Sequence, residues 1–136
     1  MTYETGKDTI HLNRMLIMYS YTILTAGISG LAFLIAPNAT LALLGAPPEE
    51  PIFAGVVYSV WFAFGVVSMA GLRSPLKYAP IFLLQLIYKL TWFGVVVVPQ
   101  LLVGNLSSFA MLLSVLFASI IIGDLVVIPW RYLFSE

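Results

Sequence analysis

An all-α integral membrane protein, a four-helix bundle with both termini in the cytoplasm, is the fold class this sequence predicts, and three observations predict it. The first is composition: of 136 residues, 61% are hydrophobic and 9% charged, against about 25% charged in an ordinary soluble domain. With a mean hydropathy of +1.03, the chain has too little polar surface to cover a water-soluble globule. The second is the clustering of the few charges, which leaves four long apolar runs; as a helix, a run of about 20 residues crosses ~30 Å of hydrocarbon. The third is the placement of Lys and Arg. Outside the runs, Lys7, Arg14, Arg73, Lys77 and Arg131 share one side of the alternating path, while loops 37–51 and 99–107 hold none. By the positive-inside rule that side is cytoplasmic.

The elements follow in order. The first span, 15–36, begins after Arg14 and stops at Pro37-Asn38; its apolar part exceeds a signal-peptide core of about 7–15 residues, so it reads as a retained helix. The stretch Ala39 to Leu44 is apolar but too short to span, and reads as a short interfacial helix in the first outer loop, capped by Gly45. Ala46-Pro47-Pro48-Glu49-Glu50-Pro51 then forms a turn before the second span, 52–72, which ends at Arg73-Ser74-Pro75 because proline disfavours helical geometry in the residue before it. The third span, 80–98, opens on Pro80, a residue suited to a first helical turn, with Pro99 marking a kink or the approach to the outer end. After Gly104-Asn105-Leu106-Ser107-Ser108 the fourth runs over 108–130. Tyr78, Trp130 and Tyr132 fall at the predicted inner interface, where amphipathic rings prefer to sit. Residues 1–136 are read as a single four-span domain.

Polar groups within the spans mark the faces that point inward, because each is costly in lipid. Helical spacing aligns Met18, Thr22, Thr25 and Ser29 in the first span, Tyr58, Trp61, Gly65 and Ser68 in the second, and Gln85, Tyr88, Lys89 and Trp92 in the third; the fourth presents Asp124 among Phe117, Ile121 and Ile128. Hydroxyls and small residues, as in Ala26-x-x-x-Gly30 and Ser119-x-x-x-Gly123, read as interhelical packing. Lys89 and Asp124 are different, since an ion in mid-span costs ~2.5–3.5 kcal/mol even on a lenient scale. Lys89 lies about 14 Å from the inner end of its helix and Asp124 about 10 Å from the inner end of its own. These heights allow an intramembrane Lys89–Asp124 ion pair, with Gln85 and Tyr88 donating or accepting hydrogen bonds and Trp92 offering a ring face to the ammonium. Arg131, seven residues beyond Asp124 on the same face, is the rival partner.

Several function classes drop out. Equal numbers of basic and acidic residues give no net basic patch for nucleic acid. Without cysteine there is no disulfide, thiol chemistry, Cys-ligated zinc or iron–sulfur cluster, and the single histidine, His11, argues against a metal or haem site. No phosphate loop, G-x-S-x-G elbow or nucleophile–base pair is present, so the chain reads as non-catalytic.

A helix ending in proline followed by a short apolar stretch reaching Leu-Gly (Pro37-Asn38-Ala39-Thr40-Leu41-Ala42-Leu43-Leu44-Gly45), then a helix rich in small residues closing on Ala70-Gly71-Leu72-Arg73 and two further helices, resembles the DoxX-like small four-span membrane proteins. The likeness covers residues 15–131 and is one of layout; the group takes its name from a subunit of a thiosulfate:quinone oxidoreductase. It implies an accessory membrane protein that accommodates a quinone or another lipophilic small molecule; a homo-oligomer or a larger membrane complex is left open as its assembly. From the residues themselves, the expected ligand-binding set is Tyr58, Trp61, Gln85, Tyr88, Lys89 and Trp92, the rings enclosing the ligand and Lys89 and Gln85 donating hydrogen bonds to it. Two alternatives stand beside this expectation: a proton-coupled dimeric transporter in which Asp124 titrates, and a purely structural subunit.

Overall fold

The structure is a computed structural model; it describes residues 2–5 and 8–134, with side-chain surroundings from Ile10 onward, so Lys7 lies outside the described residues. It is 84% helical, and four of its helices are long and apolar enough to cross a membrane. We label these α1 (Leu12–Ile35), α3 (Pro51–Arg73), α4 (Pro75–Leu102) and α5 (Ser108–Val127). Two shorter helices, α2 (Pro37–Leu43) and α6 (Trp130–Phe134), follow α1 and α5.

The expected boundaries shift for local reasons. At the N-terminus, where sequence reading assigned no element, strands β1 (Thr2–Thr5) and β2 (Asp8–His11) pair antiparallel with Thr2 opposite His11; threonines, Tyr3 and Ile10 are residues that favour a pleated backbone. Ile10 is buried against the main apolar core. The third span is longer than expected at both ends. Pro75 already starts a helical turn, and Pro99 does not end the helix, because the chain widens into a π-helical turn over Phe93–Val97 immediately before it. That wider turn makes room for a proline ring that otherwise meets the carbonyl four residues back. A second π-helical stretch, Ile23–Ile28, lies in the middle of α1. The fourth span stops at Val127 instead of 130, since Ile128 precedes Pro129 and adopts an extended conformation (φ −60°, ψ 119°).

Helix ends at the loops are closed by the chain itself. Gly45 (φ 65°) and Gly104 (φ 67°) are left-handed. Ala46 N–H donates to the Leu41 carbonyl (2.9 Å) and Asn105 N–H to the Gln100 carbonyl (2.9 Å), which completes a Schellman closure at each site. Glu50 caps α3, accepting from the amides of Ile52 (3.0 Å) and Phe53 (2.8 Å). The Phe53 amide above all, then that of Ile52, holds its carboxyl below the usual carboxylate range. Ser107 caps α5 by accepting from the Ala110 amide (3.1 Å).

The long helices alternate in direction. Down α1, Tyr19 lies against Gly71, Gly27 against Gly65 and Gly30 against Phe62 of α3, so the two run antiparallel at backbone contact. On its other side α1 meets α5, where Met18 covers Gly123 and the hydroxyls of Tyr21 and Ser119 share a 2.7 Å hydrogen bond. Helix α4 packs on α5 through Trp92 and Phe117, with ring centroids 5.1 Å apart, and reaches α1 through Tyr19, whose ring lies tilted against Phe82 (4.3 Å between centroids) and whose hydroxyl donates to the Pro75 carbonyl (2.7 Å). Arg14, Arg73 and Lys77 therefore lie at one end, and α2, Glu49 and Glu50 at the other. Along the outside, Leu24, Val56, Leu90 and Val115 are exposed, as apolar groups facing lipid are.

Candidate functional site

The interior contains a short chain of buried polar groups. Thr22 of α1, Gln85 and Lys89 of α4, and Asp124 of α5 have no exposed surface. Gln85 Nε2 donates to Thr22 Oγ1 (3.2 Å), and Lys89 Nζ donates to Gln85 Oε1 (3.0 Å). The i to i+4 spacing of Gln85 and Lys89 on α4 makes the second bond. Other hydroxyls of the α1 stripe turn back on their own helix: Thr25 donates to the Tyr21 carbonyl (2.8 Å) and Ser29 to the Thr25 carbonyl. Of that stripe, Thr22 is the hydroxyl that bonds across to α4.

The Lys89 ammonium sits 4.3 Å from the centroid of the Tyr88 ring and 5.2 Å from that of Phe117. The rings that receive it are thus not Trp92, which turns instead toward Phe93 and Phe117. Desolvated contacts of this kind contribute up to about 2 kcal/mol. Asp124 lies near enough for its charge to act on Lys89 and Tyr88. Neither of its oxygens accepts a hydrogen bond, from Lys89, Arg131 or any other described residue. Lys89 and Asp124 are brought into one buried region, but their interaction is through space and not a hydrogen-bonded contact. Ser68 Oγ is likewise buried without a partner.

Above this polar level, toward Glu49, an aromatic cavity of about 300 Å3 opens between α3, α4 and α5. Its walls include Tyr58, Trp61, Tyr88 and Trp92, four members of the expected binding set. Gln85 and Lys89, the other two, do not line it and have no free surface; the Lys89 ammonium lies against the Tyr88 ring. Five wall residues fall outside that set: Val57, Leu113, Phe117, Phe109 and Glu49. Phe117 meets Trp61, Tyr88 and Trp92 edge to face at 5.1–6.0 Å; its position two turns before Asp124 is the signal that places it on the inner face. Phe109 lies one turn before Leu113 and two turns before Phe117 and shares their wall. Glu49, read only as part of a turn, accepts a 2.8 Å hydrogen bond from the Tyr58 hydroxyl at the mouth. A neighbouring void of about 20 Å3 by Thr25, Ser29 and Trp61 is too small for more than one or two waters.

One aromatic stack divides the α3–α4 seam. Phe64 of α3 lies parallel to Tyr88 of α4, with centroids 5.5 Å apart and planes at 9°. Tyr88 forms part of the cavity wall on one side of the stack, and Phe64 lines a separate groove on the other. The chemistry available to a molecule in the cavity is therefore that of aromatic faces, phenol hydroxyls, the indoles of Trp61 and Trp92 and a single carboxylate at the mouth. Among the described residues no three of His, Asp and Glu converge as metal ligands.

Comparison of the chain with known protein families, with curated proteins and with solved structures finds no match. Its class rests on its own helices, which make it a multi-pass helical membrane protein.

Proposed function

We propose that this protein is a four-helix bundle with both termini in the cytoplasm that binds a lipophilic small molecule, of the size of a quinone ring, in the cavity between α3, α4 and α5, as a non-catalytic accessory component. The observation that carries the reading is the cavity itself: about 300 Å3 enclosed by Tyr58, Trp61, Tyr88, Trp92 and Phe117, at the small end of the ~300–1,000 Å3 usual for ligand sites, with the apolar walls and few polar handles such sites have. The Tyr58 hydroxyl is engaged by Glu49 and the Trp61 N–H is directed at the Tyr88 oxygen, which leaves the Tyr88 hydroxyl proton as the donor to orient a carbonyl. The layout resemblance to DoxX-like proteins supports a quinone as the first compound to try.

Quinones and short isoprenoid analogues are expected to raise the melting temperature of the purified protein, since a ligand bound only by the folded state stabilises it by RT ln(1 + [L]/Kd), about 2.7 kcal/mol at a hundredfold excess over Kd. Trp92→Ala, which opens the wall, and Leu113→Trp, which fills the space, should each remove that rise with helical content unchanged. No shift across a broad lipophile panel, or equal shifts in both variants, would favour a structural subunit.

The proposed orientation has its own test. In this cysteine-free chain, Ser74→Cys should resist a membrane-impermeant thiol reagent in intact cells and Asn105→Cys should react; the reverse pattern overturns the orientation.

A further inference from the structure

A second opening lies along the same seam on the other side of the Phe64–Tyr88 stack. It is a groove of about 420 Å3, with Val60, Phe64 and Val67 of α3 on one wall and Ile81 and Leu84 of α4 on the other. From Val60 to Val67, and from Lys77 to Leu84, each wall runs about 10 Å along its helix at 1.5 Å per residue. The aromatic stack flanks it, with Phe64 midway along the α3 wall. At the lower end the lining changes character, to Lys77 and Tyr78, with the Lys77 ammonium 5.8 Å from the Tyr78 ring centroid. Arg73, the last residue of α3, is exposed at that same end. Glu49 and Glu50 lie at the far end of the molecule and Asp124 is buried, so among residues 10–134 no exposed carboxylate offsets these two cations.

An apolar channel with positive charge at one end only, where a helix leaves the hydrocarbon, has the polarity of a lipid with an anionic headgroup. We propose that the lower α3–α4 groove is a binding site for a single anionic phospholipid, with one acyl chain between the apolar walls and its phosphate against Lys77 and Arg73. The walls fix the chain and the cations select the headgroup, because basic residues at the membrane surface attract anionic lipid. Both residues retain water access, so the phosphate binds without the cost of burying an ion. This assignment is independent of what occupies the aromatic cavity and of which face of the membrane the basic end adopts.

The test uses the whole protein in mixed micelles containing phosphatidylglycerol or phosphatidylcholine with identical acyl chains, with bound lipid counted by native mass spectrometry. Wild type is expected to retain one phosphatidylglycerol in preference to phosphatidylcholine. Lys77→Gln should lower that preference about fivefold, the effect of one basic residue at the membrane surface, and Lys77→Arg should restore it. Val67→Trp, which fills the groove, should reduce retention of both lipids, whereas Trp92→Ala in the other cavity should change neither. Glycerol phosphate, which has the anion without the chain, should not compete. Equal retention of the two lipids by wild type would overturn the proposal, as would unchanged phosphatidylglycerol retention in both Lys77→Gln and Val67→Trp. Loss of a dimer in Val67→Trp with lipid retention unaltered would give the groove to a second copy of the chain and overturn it equally.

Discussion

Removing one of the two buried ions, as Lys89→Met or as Asp124→Asn, is expected to destabilise the detergent-solubilised protein by about 3–5 kcal/mol, the usual consequence of leaving a buried charge uncompensated. The two sites are unequal in their local bonds. Lys89→Met also leaves Gln85 Oε1 without its 3.0 Å donor and empties the space over Tyr88 and Phe117. Asp124→Asn breaks no hydrogen bond, because the carboxylate accepts none; its cost is the stranded ammonium alone. The double variant should therefore regain part of the loss, with a coupling of order 1–3 kcal/mol in the mutant cycle. Charges in a low-dielectric interior act on each other beyond hydrogen-bond distance, so coupling does not require contact. Strictly additive losses would show that the two ions are balanced by other groups.

The second large effect concerns glycine, and its sign depends on position. A Cβ placed at Gly30 would come 2.5 Å from the Phe62 amide nitrogen and 2.8 Å from the Tyr58 carbonyl oxygen, and one at Gly65 would meet the Gly27 backbone. Backbone atoms cannot move aside as a side-chain end can, so Gly30→Ala must push α1 off α3. A loss of at least the ~1–3 kcal/mol of an overpacked site is expected. At Gly55, also within α3, nothing lies within 4 Å of an added Cβ. Gly55→Ala should instead stabilise by up to ~1 kcal/mol, the intrinsic helical advantage of alanine over glycine. Thermal melts of the two variants, both single methyl additions to α1 or α3, should move in opposite directions. Parallel behaviour would mean that α1 and α3 are not held at backbone contact.

The four spans were legible because charge clustering and proline punctuation are one-dimensional signals. So was the inward direction of Lys89, Gln85 and Asp124, which follows from the cost of polar groups in lipid. Gly45, at the end of the short helix after α1, was legible for its own reason, since a glycine behind an apolar run favours a left-handed closure. What failed to show was anything set by a local adjustment of the backbone. Pro99 reads equally as a kink or as an approaching end, and no residue in Phe93–Val97 announces the π-helical turn that carries the helix through it. The N-terminal hairpin was hidden because its strands of four residues each are shorter than the windows in which alternation can be judged. Within the site, spacing along α4 aligned Lys89 with Trp92, but the ring beneath the ammonium is the sequence neighbour Tyr88 together with Phe117 from another helix. Which of several inward aromatic residues touches a given ion is a matter of helix rotation, and that is fixed by the partner helix. For the same reason the cavity took Glu49 and Phe109 into its wall, residues that no single-helix pattern connects.

The distribution of the two ions also bears on how the chain enters the bilayer. Both lie on α4 and α5, the two most apolar of the four long helices, joined by the short turn at Gly104, whereas α1 and α3 carry no charge between Met15 and Leu72 except in the loop that connects them. During synthesis the earlier pair can cross the membrane and close on itself through glycine contacts, with no ion to shelter. The later helices each bear a charge that costs ~2.5–3.5 kcal/mol in isolation, partly offset by their excess of apolar residues. Inserted as a hairpin, they would bring opposite charges into the membrane together and set them against a surface that offers Thr22. The order of the helices along the chain thus places the two costly insertions last, when a docking partner exists.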